Sequence, residues 1–284
     1  MGLSTLKTIL KQAESEHYAV GAFNIFNIET VRGTIRAAEE SCAPVILQTS
    51  VKTVKYYGAS QLADLVKKEA EKAGIPVVLH LDHCTDLTIA KKCVDAGWSS
   101  IMYDGSKNPL EENIAATKNL IAYIGEKEVS VEGELGAIGG TEEDIAVSQE
   151  NASCADVESS VKYVEETGVD AFAPAVGTAH GVYKGAPKID FERFCQIKEA
   201  VAAPLVVHGG TGLEEDVFRS FVALGAAKIN VSTALKITYR DALKEAVNQY
   251  FEPLDIMRYV EEAVVKTVKK HIMIFGIPGE GKNL

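Results

Sequence analysis

The chain has 284 residues, 46% of them hydrophobic and 24% charged, with a formal net charge of −11. That acidic balance repels polyanions and offers no basic stripe for backbone phosphates, which argues against a nucleic-acid partner. No apolar run reaches the roughly 18 residues a membrane helix needs, so no membrane partner is expected.

Short apolar runs rich in β-branched residues predict eight strands, in chain order Ala19–Ile25, Pro44–Thr49, Pro76–Asp82, Ser100–Asp104, Val129–Leu135, Ala171–Val176, Pro204–His208 and Lys228–Val231. Between them, apolar residues at 3–4 spacing predict helices over Asn27–Ser41, Ser60–Ala73, Leu87–Ala96, Leu110–Gly125, Ala155–Thr167, Phe191–Ala200 and Glu214–Leu224. Strand–helix alternation of this kind means a parallel sheet. Eight strands with no Gly-x-Gly-x-x-Gly turn after the first favour a closed (β/α)₈ TIM barrel over an open dinucleotide-binding sheet. The length suits one such domain over residues 1–284. Two further helices, Ala234–Tyr250 and Leu254–Phe275, exceed what the eighth unit needs and suggest a subunit contact or a lid.

Gly136–Ser153 is the longest stretch without periodicity, and it follows the fifth strand. Loops of that length in compact domains are usually functional or disordered. The five cysteines (Cys42, Cys84, Cys93, Cys154, Cys195) are odd in number and scattered, and Met1 to Ala13 is amphipathic rather than leader-like. A reducing cytoplasm fits best, with the cysteines read as small core hydrophobes.

In a barrel of this type chemistry sits at the C-terminal strand ends. Those ends are unusually polar: Asn24, Ser50, Asp82 with His83, Asp104, Glu132 and Glu134, His180, His208, and Asn230. His83 and His208 end strands three and seven, and His180 lies in Gly177-Thr-Ala-His-Gly181 past strand six. Each histidine alone is better explained as a hydrogen-bonded, half-buried side chain. Jointly they point to a zinc site with a fourth position open to substrate. His80, two residues before Asp82 on the same strand face, is expected one layer deeper and structural. Cys84 starts the following loop and is read as a non-ligand.

Anion binding is suggested twice. Gly209, Gly210 and Thr211 after strand seven let backbone N–H groups approach a phosphate, and a helix headed by Ser232 and Thr233 after strand eight supplies more donors. Either turn alone is an ordinary βα connection.

Several segments carry a family resemblance: Tyr18-Ala-Val-Gly-Ala-Phe-Asn24-Ile, His80-Leu-Asp82-His83, Ser130-Val-Glu132-Gly-Glu134-Leu-Gly136, Gly139-Gly140-Thr-Glu142-Glu143-Asp144, Gly177-Thr-Ala-His180-Gly181 and Lys228-Ile-Asn230-Val. In order, from Leu3 to about Phe275, they resemble the motifs of class II fructose-bisphosphate and tagatose-bisphosphate aldolases. The resemblance implies that His83, His180 and His208 hold a catalytic Zn²⁺, with Asp104 and Glu134 at positions for a second or alternative divalent or monovalent cation. It implies that Asp82 exchanges the C4 hydroxyl proton and Glu142 the proton on the dihydroxyacetone carbon. Gly181, Lys184, Gly209 to Thr211, and Asn230, Val231, Ser232 and Thr233 would cradle the dihydroxyacetone phosphate half of a small phosphorylated sugar, with Asn24 and Ser50 facing the aldehyde half. A homodimer or homotetramer is implied.

One departure concerns the distal phosphate. The family often has an acidic residue, proline and arginine near the C-terminus, the arginine reaching across the subunit interface, whereas this chain reads Glu252-Pro253-Leu254 with Arg258 one turn further on. Arg258 substitutes for that arginine, or the aldehyde half carries no phosphate. Two other readings are a Schiff-base aldolase and a non-catalytic sugar-phosphate-binding subunit. The first needs a desolvated lysine, and neither Lys228 nor Lys184 is obviously an inward, buried amine; the second has no use for Asp82 and Glu142.

Overall fold

The computed structural model describes residues 2–142, 145–147, 154–181 and 188–279. The first elements are α1 (Leu6–Glu16), β1 (Val20–Asn24), α2 (Ile28–Glu40), β2 (Val45–Ser50), α3 (Val51–Tyr57) and α4 (Ala59–Ala70). They are followed by β3 (Val77–Cys84), α5 (Leu87–Asp95), β4 (Ser100–Tyr103), α6 (Leu110–Ile124), β5 (Ser130–Leu135), β6 (Gly139–Glu142) and β7 (Ile145–Val147). The remainder comprises α7 (Val157–Thr167), β8 (Ala171–Pro174), β9 (Ala179–His180), α8 (Phe191–Ala200), β10 (Leu205–Val207), α9 (Glu215–Ala223), β11 (Ala226–Val231), α10 (Thr233–Gln249) and α11 (Pro253–Phe275).

Eight parallel strands close in the order β1-β2-β3-β4-β5-β8-β10-β11, with β11 pairing back onto β1, so the fold is a TIM barrel. All eight expected strands are present. Their outward residues, among them Phe23, Leu47, Leu79, Ile101 and Phe172, pack under the helices in the main core.

Inward residues form a second, smaller core. Leu6, Ile9, Leu10 and Ala13 of α1 meet Val20, Ala22, Ile46, Val78, Ala171, Ala173, Val206 and Ala227 there. α1 thus plugs the N-terminal end of the barrel, and each fully buried leucine contributes roughly 1.5–3 kcal/mol of burial free energy. Its start is fixed by Thr5, whose Oγ1 accepts from the Thr8 amide at 3.3 Å, and its end by His17 in the left-handed region at φ 58°.

The two additional C-terminal helices are present as expected, and α11 packs on α2, α9 and α10 as a member of the outer ring. The approach to α2 is close enough that a Cβ on Gly33 would lie 2.8 Å from Val264 Cγ1. An unexpected helix, α3, follows β2 directly, capped by Ser50. The aperiodic stretch after β5 holds a small sheet in which β6 pairs antiparallel with β7 and parallel with β9. That pairing draws on a distant segment, so no local periodicity announces it.

Candidate active site

Along each inward strand face polarity rises toward the C-terminal end. β1 runs Val20, Ala22, Asn24; β2 runs Ile46, Gln48, Ser50; β3 runs Val78, His80, Asp82. Strand periodicity of two therefore produces stacked rings, apolar at the plug and ionisable at the mouth.

Strand β3 then breaks its own alternation. Between Leu81, opposite Ile101, and Cys84, opposite Tyr103, it carries one extra residue, and His83 takes a left-handed φ of 46°. This bulge turns two successive side chains, Asp82 and His83, into the mouth, where a regular strand would present one. Left-handed backbone at a non-glycine residue costs of order 1–3 kcal/mol, here at the residue the chemistry needs.

His83 Nε2 lies 2.8 Å from His208 Nδ1. The other nitrogen of each ring faces a carboxylate: His83 Nδ1 is 3.1 Å from Asp104 Oδ2, and His208 Nε2 is 2.9 Å from Glu132 Oε1. Ionised carboxylates only accept, so both outer nitrogens carry the protons and both inner nitrogens present lone pairs. Two lone pairs at this separation repel unless a proton or a metal cation is shared between them.

The electrostatics agree. Burial disfavours a charged His83, yet Asp82, Asp104 and Glu134 together hold its pKa well above the usual value. Glu134 is pushed well above the carboxylate range, by burial first and by the charge of Asp104 second. Asp104 resists its own burial because His83 and Ser106 donate to it, Ser106 Oγ at 2.6 Å, and its pKa is lowered. Among the described residues the cluster is short of positive charge.

Two overlapping ligand sets result: Asp82, His83 and His208, and His83, Asp104 and Glu134, with the donor atoms of each set within 4.8 Å of one another. Glu134 Oε2 is buried without a hydrogen-bond partner among the described residues. Neutral imidazole with carboxylate is a donor set suited to a divalent first-row ion, so these residues fit a metal.

Asp82 is held from both sides. Gln48 Nε2 donates to its Oδ2 at 3.0 Å and to Asn24 Oδ1 at 2.7 Å, while Asn230 Nδ2 donates to its Oδ1 at 3.2 Å. Ser50 is turned to α3, its Oγ accepting from the Thr53 amide at 3.3 Å.

Beyond the cluster, the turns after β10 and β11 converge. Gly209 has a φ of 71°, and a Cβ there would lie 2.6 Å from the Ala179 carbonyl. On Gly210 a Cβ would lie 3.0 Å from the Asn230 carbonyl. Thr211 Oγ1 accepts from the Ala234 amide at 3.3 Å. Ser232 N-caps α10, and its own Oγ is buried with no partner among the described residues. Val231 is buried and Gly181 is left-handed at φ 85°.

The side chains of Glu142 and His180, and all of Lys184, lie outside the described residues. The backbone of Gly140 pairs with that of His180, beside the Gly209 turn. Arg258 is not brought to the cluster within this chain: its side chain is 76% exposed and bonds Asp255 on α11. His80 is fully buried, its Nδ1 2.7 Å from Ser100 Oγ, as expected for a deeper layer. Cys84 and Cys93 are core residues, with thiol pKa values pushed up by burial to about 11 and about 12. Cys42 and Cys154 are exposed, contrary to the expectation.

Lys228 corrects another expectation. It is an inward, fully buried amine, and its Nζ donates to Glu132 Oε2 at 2.7 Å. Gln48 carries no signal of its own in the sequence, while Glu132, one of the polar strand ends, and Lys228, weighed only as a Schiff-base amine, take contacts that the sequence does not announce; the three stand two residues before Ser50, Glu134 and Asn230.

The model of the class II fructose-bisphosphate aldolase family matches residues 4–280. The YdjI aldolase of Escherichia coli K12 is 32% identical with a TM-score of 0.87, covering 98% of this chain and 99% of its own. A candidate fructose-1,6-bisphosphate aldolase of Coccidioides immitis is 29% identical with a TM-score of 0.91, covering 98% of each chain. The fructose-bisphosphate aldolase of Campylobacter jejuni shares the fold, with a TM-score of 0.84 at 24% identity over 96% of this chain and 95% of its own. With family motifs, barrel and facing imidazoles in agreement, the chain belongs to the class II fructose-bisphosphate aldolase family.

Proposed function

We propose that this protein is a zinc-dependent aldolase that reversibly cleaves a ketose bisphosphate, fructose or tagatose 1,6-bisphosphate, into dihydroxyacetone phosphate and glyceraldehyde 3-phosphate. The observation that carries this reading is the 2.8 Å approach of His83 Nε2 to His208 Nδ1 beside Asp82.

His83 and His208 hold the ion with His180, and Asp104 and Glu134 offer an alternative position for it or for a second cation. When bound, the ion supplies Lewis acidity for the negative charge that develops on the ketone side of the breaking bond. Asp82 takes the C4 hydroxyl proton. As the C3–C4 bond breaks, the O–H electron pair becomes the aldehyde C=O, and the C3–C4 pair stays on C3 as the enediolate. Glu142 then delivers a proton to C3, completing dihydroxyacetone phosphate. Gln48 and Asn230 keep Asp82 aimed, and both donate, which favours its ionised, proton-accepting form. The Gly209 to Thr211 turn and the start of α10, with Gly181 and Lys184, receive the phosphate of the dihydroxyacetone half. Asn24 faces the aldehyde half, and Ser50, at the same strand-end ring, borders it while its Oγ caps α3. The enzyme works in the cytoplasm as a homodimer or homotetramer, in which Arg258 of one subunit reaches the distal phosphate bound by its partner.

A second reading rests on Leu254, which is 65% exposed where the family often has arginine. Here the substrate is a ketose 1-phosphate with no distal phosphate. A coupled assay on fructose 1,6-bisphosphate, tagatose 1,6-bisphosphate and a ketose 1-phosphate, before and after chelation and zinc return, tests both. The first reading expects bisphosphate turnover that chelation abolishes, zinc restores and Arg258→Ala weakens through KM; preference for the monophosphate establishes the second. Cleavage of none of the three rejects both.

A further inference from the structure

Below the proposed ligands lies an ionic layer that the mechanism does not use. Glu132 and Lys228 are both 0% exposed, on inward positions of β5 and β11. Lys228 Nζ donates to Glu132 Oε2 at 2.7 Å, and Glu132 Oε1 accepts from His208 Nε2 at 2.9 Å. His80 Nε2 is 3.6 Å from the same Oε2, beyond hydrogen-bonding reach.

Stability does not account for this pair. Desolvating two charges costs several kcal/mol per ion, and well-packed apolar residues of similar volume are often as stabilising or more so. The surrounding inward residues Ala171, Ala173 and Val206 belong to an apolar core that such residues would extend. What the pair does is geometric: a carboxylate has only acceptors, so the nitrogen facing it must carry the proton, and the opposite nitrogen keeps its lone pair toward His83, a tautomer that Asn230 Nδ2, 3.2 Å from His208 Nδ1, also accommodates.

We infer that Glu132 is a positioning residue that fixes the tautomer and ring orientation of His208, and that Lys228 fixes Glu132 in turn. The cation affinity of the mouth is thereby set from a layer beneath it. This rests on the reading of His208 as a metal ligand. Lys228, by the same geometry, is committed to Glu132 and is not a free amine for Schiff-base chemistry.

Two double variants isolate the effect. Glu132→Gln with Lys228→Met and Glu132→Leu with Lys228→Met both remove the buried charges, but only the first keeps an acceptor for His208. The readouts are Zn²⁺ or Co²⁺ affinity, by competition with a chromophoric chelator, and the ¹⁵N spectrum of histidine-labelled, metal-free protein. The glutamine double variant is expected to bind the ion within a few-fold of the wild type. The leucine double variant should bind about 10–100-fold more weakly, with His208 passing from one tautomer to a mixture. Equal affinities and unchanged tautomer in the two would overturn the inference.

Should the leucine variant fail to fold, single Glu132→Gln serves, because its one amide oxygen must satisfy both His208 and Lys228. Affinity is expected to fall about tenfold, within the range for removing a ligand's hydrogen-bond partner, and to recover when Lys228→Met is added. Absence of both changes would overturn the inference. Wild-type protein that binds no cation would remove the metal reading together with this one, whereas wild-type binding that neither residue affects removes this one alone.

Discussion

The two ends of the barrel are built on opposite principles. At the N-terminal end, inward Val20, Ile46, Val78 and Val206 close against Leu6, Ile9 and Leu10 of α1 without a charge among them. At the C-terminal end, Asp82, His83, Asp104, Glu134 and His208 crowd together, with Glu134 Oε2 left without a hydrogen-bond partner among the described residues. One end stores the favourable free energy of burial; the other spends part of it on buried carboxylates and a left-handed His83. Stability and chemistry are thereby separated along the strand axis, and substitutions at the two ends should have different signatures.

The largest effect belongs to the mouth. Asp82→Ala should lower kcat by about 10²–10⁴-fold, the usual worth of a positioned acid or base. Metal content by elemental analysis should remain at the wild-type stoichiometry; loss of the ion together with activity would make Asp82 a ligand first. At the opposite end, Leu10→Ala removes a fully buried side chain of the plug and should cost about 2–5 kcal/mol in a denaturant titration. Its kcat, measured where the variant is folded, should match the wild type, and a fall in kcat would show that the ends are coupled.

A pH experiment sharpens the contrast. In metal-free protein, His83 has a folded-state pKa raised well above its ordinary 6.5. Such a base contributes stability that is fully present below pH 6.5 and is lost as pH rises through the folded value. His80 has the opposite sign, because burial lowers its pKa, so the comparison must isolate His83. The difference in denaturation midpoint between metal-free wild type and metal-free His83→Asn should shrink as pH rises above 6.5. A difference that grows instead would mean that His83 is neutral in the fold. Smallest of all, Thr5→Ala deletes the cap of α1 and should cost about 0.5–1 kcal/mol in thermal melts, with turnover unaltered.

Much of this division was readable from the strands. Period-two alternation places Asn24, Asp82, Glu134, His208 and Asn230 at strand ends, and eight alternations with helices specify the closed sheet. The same arithmetic, carried one step down β2, reaches Gln48, which in an apolar run reads as a local exception. Glu132 is legible as a polar strand end and Lys228 as a lysine beginning a strand, but the contact between them has no local signal until the partner on another strand is known. Lys228 and Glu132 are 96 residues apart, and only barrel closure brings them together. The bulge at His83 was hidden for a related reason: a one-residue insertion relative to β4 has no signature in β3 alone. Helix α3 is short enough to merge with α4 in a periodicity reading, and the β6-β7-β9 sheet depends on pairing across intervening elements.

The central claim is that His83 and His208 share one divalent ion at the mouth. X-ray absorption on stoichiometrically loaded zinc protein tests it most directly. The account predicts an imidazole nitrogen shell at about 2.0–2.1 Å that loses one ring in His83→Ala and one in His208→Ala. A spectrum that neither substitution alters would contradict it.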